Sequence, residues 1–168
     1  MEIAPTRIKS FLLSSIRSFD ERIINHLYRG AVKFNVGLLG EPPAKTVTKA
    51  TFAFTIERNE RRPSADFTTS CTNRLFLATE DWPSLNDEGT VPATIAGVPY
   101  KSALIEGFVG SRINVDVTDV VIDWVKGKRT NFGFLFVSLQ EPTGVIRGND
   151  KCWTMFGDFV LEVAYTKP

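Results

Sequence analysis

Along residues 31–38 apolar and polar positions alternate: Val32, Phe34, Val36 and Leu38 are separated by Lys33, Asn35 and Gly37. A period of two places successive side chains on opposite faces, so this stretch predicts a half-buried strand. Glu41-Pro42-Pro43 ends it, because proline fixes φ and offers no N–H to a ladder. Residues 47–56 predict a second long strand, with Ala50, Phe52, Phe54 and Ile56 on one face and Thr51, Ala53 and Thr55 on the other. Shorter β-rich runs follow at 74–78, 103–108 and 112–117, and 132–139 and 159–165 complete the series. Residues 132–137 have almost no polar member, the pattern of a strand buried on both faces. Between these runs, 57–66 reads as a polar loop and the Pro/Gly-rich 82–100 as a functional loop or a cover over one end.

Helical period appears within 116–127, where Val120, Val121, Trp124 and Val125 fall on one side. Thr118 or Asp116 caps its start, Lys126 suits the negative end of its dipole, and Gly127 supplies a left-handed stop. Trp124 then belongs to the core. A weaker helix is predicted over 19–28, capped by Ser18 or Asp20, with Ile23, Ile24 and Leu27 inward. At least eight short strands with long connections predict an all-β fold: a two-sheet antiparallel β-sandwich, specifically a jelly roll, with one or two short helices. No repeat or linker divides residues 1–168, so one domain is expected.

Composition narrows the function. The chain has 20 Lys+Arg against 19 Asp+Glu, a net charge of +1. That balance argues against nucleic acid as a partner, since a nucleic-acid domain normally carries a concentrated basic excess. No apolar run approaches the ~20 residues of a membrane helix, so a soluble protein without membrane insertion is expected. Residues 1–18 hold Arg7, Lys9 and Arg17 and an apolar run no longer than Phe11-Leu12-Leu13, short of a secretory core. Three locations stay open: the cytoplasm, release or assembly without a classical signal, or export by a signal that lies outside these residues. With one His and two Cys, the usual nucleophiles and metal ligands are scarce. His26 could pair with Cys71, Cys152 or a serine, but no orienting third residue stands at a recognisable spacing, so no enzyme activity is expected. Cys71 and Cys152 fit either a disulfide or two thiols. No cofactor is implied. Asn86-Asp87-Glu88 and Gly148-Asn149-Asp150 offer oxygens for a structural calcium ion, without a ladder of ligands.

Several phrases resemble one family. Tyr28-Arg29-Gly30-Ala31-Val32-Lys33-Phe34-Asn35-Val36 is followed by Ala44-Lys45-Thr46-Val47-Thr48-Lys49-Ala50-Thr51-Phe52, then Ala78-Thr79-Glu80-Asp81-Trp82. Ile113-Asn114-Val115-Asp116-Val117-Thr118-Asp119-Val120-Val121, Trp124-Val125-Lys126-Gly127 and Asn131-Phe132-Gly133-Phe134 come next, and Phe159-Val160-Leu161-Glu162-Val163-Ala164-Tyr165 closes the order. Over about residues 29–165 this is similar to the DNRLRE-type domains, jelly-roll modules related to carbohydrate-binding modules, with the Asp-Val-Thr helix its most specific piece. The chain departs from that pattern at Asn35, where the family has Asp, and at Lys151-Cys152-Trp153-Thr154-Met155-Phe156. The resemblance implies a non-catalytic, lectin-like β-sandwich that binds polysaccharides, acidic ones included.

A sugar site needs aromatic faces for pyranose C–H groups, and cationic or amide groups for hydroxyls and carboxylates. Trp82, Tyr100 and Trp153, in loop-like polar surroundings, are the candidate aromatics. The candidate cations are Arg58, Arg61 and Arg62; Lys126, Lys128 and Arg129; and Arg147 and Lys151. Acids border the first and last clusters, whereas Lys126-Gly127-Lys128-Arg129 has none nearby and is the cleaner anion site. The expected partner is a polysaccharide or glycan. The alternative is a structural subunit of a virion, phage or toxin complex, whose partner is its own copy or another assembly protein.

Overall fold

The computed structural model describes residues 1–17, 24–41, 45–62, 73–82, 97–105, 108–138 and 151–166. In chain order the strands are β1 (Glu2–Ile3), β2 (Pro5–Arg17), β3 (Ile24–Phe34), β4 (Thr46–Arg62), β5 (Asn73–Ala78), β6 (Gly97–Ile105), β7 (Arg112–Asp116), β8 (Phe134–Ser138) and β9 (Lys151–Thr166). Helix α1 (Gly37–Gly40) follows β3, and α2 (Thr118–Val125) follows β7. One sheet has the order β1-β9-β4-β7 and the other β2-β3-β8-β5-β6, all pairs being antiparallel. With β2 set aside as an addition to one edge, this is the strand order of a jelly roll, in which the chain repeatedly crosses from sheet to sheet. The expected all-β sandwich is the observed fold.

The two inner faces meet in a cluster of phenylalanines. Phe52 of β4 stacks on Phe134 of β8 with centroids 4.9 Å apart and meets Phe34 of β3 edge-on at 5.3 Å. Phe54 meets Phe136 edge-on at 5.0 Å, and Phe136 stacks on Phe156 at 4.6 Å. Offset-stacked and edge-to-face pairs align the ring quadrupoles, about 0.5–1.5 kcal/mol per pair beyond area burial. Residues 134–137 are buried throughout, as their unbroken apolar run predicted. Phe134 and Phe136 face this core, while Leu135 and Val137 join Ala31, Ala78 and Trp82 in a second cluster on the other side of the sheet.

The helix predicted over 116–127 forms as α2, buries Val120, Val121 and Trp124, and stops at Gly127 in the left-handed conformation (φ +67°). Its start works differently from a simple cap. The Asp116 carboxylate accepts from the Thr118 N–H at 3.0 Å, leaving the Thr118 hydroxyl to accept the Ala50 N–H at 2.9 Å. Val117 N–H donates to the Ala50 carbonyl at 3.0 Å, so α2 is pinned to β4 on both sides of one residue. Gly133 is required by close approach: a Cβ there would lie 2.3 Å from the Val32 carbonyl oxygen, and its φ is +91°.

Four expectations are corrected. The strand expected over 31–38 ends at Phe34, because Asn35 Oδ1 accepts the Gly37 N–H at 3.0 Å and turns the chain into α1; Leu39, not Leu38, is buried. The helix expected over 19–28 is overturned at Ile24–Tyr28, which lies in β3 paired with β2; residues 18–23 lie outside the described residues. The polar loop expected from residue 57 is strand as far as Arg62, because β9 supplies a partner as far back as Lys151. Strand β6 begins at Gly97, inside the stretch expected to be loop.

Candidate functional site

The structure separates the sequence-derived candidates into three groups. The first is buried. Trp82 is 1% exposed, with its indole N–H donating to the Phe132 carbonyl at 2.6 Å. Tyr100 is 5% exposed; its hydroxyl donates to the Asp119 carboxylate and lies 3.2 Å from the Asp116 carbonyl oxygen. Burial first, then the hydrogen bond and the charges of Asp119 and Asp116, push the phenol well above its usual range. Neither ring presents a face to a ligand, which corrects the expectation that both are loop aromatics open to sugar. The cause is packing: Trp82 covers the apolar outer side of β8, and Tyr100 ties β6 to the start of α2.

The second group lies where β4 and β9 run beyond β7. The register pairs Arg58 with Met155, Glu60 with Trp153, Arg61 with Cys152 and Arg62 with Lys151. Residues 58–62 and 151–155, far apart in sequence, thus lie on one two-stranded ribbon. The Thr154 hydroxyl accepts from Asn73 Nδ2 of the other sheet at 3.1 Å, so position 154 belongs to the inner face, and Met155 is exposed. Arg58, which pairs with Met155 in the register, is exposed as well, so the described side chains at this pair both face outward.

Beside this ribbon, the sequence reading missed Phe108, which it placed at the end of a strand. Phe108 is 86% exposed in a turn that is tied down: Ser111 N–H donates to the Phe108 carbonyl at 2.9 Å, Phe108 N–H to the Ser111 hydroxyl at 3.0 Å, and Gly110 N–H to the Ile56 carbonyl at 2.7 Å. The turn therefore docks on β4 two residues before Arg58. Gly110 at φ +89° was the sequence clue to a turn.

The third group lies at the other end of β4. Lys126 ends α2, and Lys128 and Arg129 are exposed in the following turn, where both backbone N–H groups donate to the Asp123 carbonyl. Lys126, Gly40, Lys45, Thr46, Val47, Ile122 and Val125 line a groove of about 290 Å³. The 17 residues of β4, at about 3.3 Å each, put this group roughly 50 Å from Arg62, so the two cationic groups cannot share one small ligand. Arg147 and Cys71 lie outside the described residues, as do both stretches proposed for calcium. Among the described residues no group of three or more His, Cys, Asp or Glu side chains could hold a metal, and no helix is long and apolar enough to cross a membrane. His26 sits in β3 opposite Ser15, in the sheet that does not contain Cys152.

Comparison with known proteins returns no matching family model and no matching curated protein. The residues that carry the DNRLRE resemblance are mostly structural: Asn131 Nδ2 donates to the Phe34 carbonyl at 2.8 Å, Gly133 permits the approach to Val32, and Trp124 meets Phe134 at 5.2 Å.

Proposed function

We propose that this chain is a non-catalytic carbohydrate-binding module of the DNRLRE type that takes an acidic polysaccharide on the β4–β9 ribbon. The observation that supports this reading is the β4–β9 register, which pairs Glu60 with Trp153 and Arg62 with Lys151 and so brings an aromatic and several cationic residues, far apart in sequence, onto one ribbon. An aromatic surface contributes apolar contact to a pyranose ring, and guanidinium groups recognise planar uronate carboxylates bidentately. Glu60, opposite Trp153, accepts hydroxyl hydrogens and disfavours an overly dense anion, which argues for a polysaccharide with spaced carboxylates. The locked Phe108 turn adds an apolar ring on the same side of the molecule as the ribbon's root, with little ordering cost on binding.

The test is affinity electrophoresis through gels containing alginate, pectin or neutral glucan. The wild type is expected to be retarded by an acidic gel and not by the neutral one, while Trp153→Ala and Arg62→Ala run freely with unchanged melting temperatures. Equal mobility of wild type and both variants in every gel would defeat the reading. A second reading, a subunit of a larger assembly, is favoured by β2 and β3: they pair from Pro5 to Arg17, yet among the described residues β3 pairs with β8 only over Gly30–Val32. Among the described residues β2 is the terminal strand of its sheet, the kind of edge another copy can extend. A large, defined oligomer by light scattering, without polysaccharide retention, would favour that reading.

A further inference from the structure

We propose that the groove between α1, the second half of α2 and the first residues of β4 binds a small carboxylate with an apolar body, independently of the ribbon. Its volume, about 290 Å³, stands at the lower edge of small-molecule sites, which run from roughly 300 to 1,000 Å³. Three aliphatic side chains, Val47, Ile122 and Val125, make the apolar part of the lining, and Thr46 is the one uncharged polar side chain among the lining residues. That surface suits an alkyl chain better than a pyranose, whose hydroxyls would find few partners and would lose hydrogen bonds to water on entry.

Two ammonium groups border the groove. Lys45 is held in place: its Nζ donates to the Leu38 carbonyl at 2.9 Å and stands 5.7 Å from the centre of the Tyr165 ring. One of its three N–H bonds is thereby used, which leaves donors for a ligand anion. Lys126, exposed at the end of α2, supplies the second charge. An apolar lining with positive charge at its border is complementary to a carboxylate whose tail enters the groove and whose head stays near the lysines. The groove also has a natural plug. Gly40 lies in the lining with ordinary helical-side backbone, and a Cβ there would meet the Val125 carbonyl oxygen at 3.7 Å, an unstrained contact. A larger side chain at this position can therefore enter the groove without forcing the backbone.

The experiment is a titration of the isotope-labelled full chain with hexanoate, followed by backbone amide shifts, with hexanol as the uncharged control. Hexanoate is expected to move the amides of Thr46, Val47, Ile122 and Lys126, and hexanol to bind at least fivefold more weakly. Gly40→Leu should remove the shifts, and Lys126→Glu should weaken binding at least fivefold. Because Lys126 is exposed, that second variant stays informative if Gly40→Leu fails to fold. Equal binding of hexanol and hexanoate, absence of saturable shifts at these residues, or unchanged hexanoate binding in folded Gly40→Leu would overturn the proposal. Gly40→Leu is also expected to keep the wild-type retardation in acidic polysaccharide gels, so failure of this site and failure of the ribbon reading give different results.

Discussion

The two ends of β4 are built on opposite plans. At Thr46–Ala50 the strand is backed on one face: β9 pairs with it, α2 is pinned to Ala50, and Val47 and Ala50 are buried while Thr46, Thr48 and Lys49 stay exposed. At Arg58–Arg62 β9 is its one strand partner among the described residues, and four of the five residues there are charged. Between them lies the phenylalanine cluster. The difference teaches that this sandwich separates stability from recognition: its middle is fixed by aromatic packing between sheets, and its ends are free to carry polar chemistry.

The sharpest way to break this picture is to hollow out the middle. Phe52 touches rings from both sheets, with Phe34, Phe54 and Phe134 all within 5.3 Å between centroids. Phe52→Ala is expected to cost about 3–5 kcal/mol, read by chemical denaturation, because the cavity is bounded by two rigid sheets and cannot collapse. A loss below about 1 kcal/mol would mean that the inner faces are not jointly packed around this ring.

Next comes Trp82, where burial and function can be told apart. Trp82→Phe retains most of the ring but leaves the Phe132 carbonyl without its indole donor, an expected cost of about 1–3 kcal/mol by thermal melting. Retention in an acidic polysaccharide gel should stay as in the wild type. Lost retention in a stably folded variant would return Trp82 to the ligand.

Such a result would also bear on what a sequence can reveal. Period-two alternation located the end of β3, the first part of β4 and the last part of β9, because each has one inner face that must be apolar; β-rich composition located β5 and β7, an unbroken apolar run located β8, and α2 was legible from its stripe and its Gly127 stop. What was not legible has physical causes. Arg58 to Arg62 looks like loop because a strand beyond the core has no face to keep apolar, and its strandedness comes from β9, a partner some ninety residues onward. Trp82 and Tyr100 sit among polar neighbours in sequence, yet each satisfies its one polar atom on a distant element, Phe132 or Asp119, and so can be buried. The grouping of Trp153 with Arg62 is a matter of register, which local pattern does not contain.

A smaller effect concerns Tyr100 and depends on pH. Its folded-state pKa is raised, so the native protein holds the phenolic proton where the unfolded chain has released it, and stability must fall as pH rises above about 10. Tyr100→Phe has no proton to lose. Its cost at neutral pH is expected to be near 1 kcal/mol, since Asp119 is exposed enough for water to replace the hydroxyl. Urea melts from pH 8 to 11 should show the wild type losing its advantage over the variant as the solution becomes alkaline. A constant difference across that range would show that the hydroxyl is not buried against Asp119.

The smallest expected effect decides which end of β4 meets the polysaccharide. Lys128 is exposed in the turn after α2, beside the opposite end of β4 from Arg62, and its backbone N–H, the part that closes the turn, survives substitution. Lys128→Ala should therefore change stability by less than about 0.5 kcal/mol. It should also leave polysaccharide retention unchanged, whereas Arg62→Ala abolishes it. The opposite pattern, with Lys128→Ala running freely and Arg62→Ala retained, would move recognition to the helical end. The cleaner anion cluster of the sequence would then be the true site, and the open ribbon would be left to contacts between protein chains.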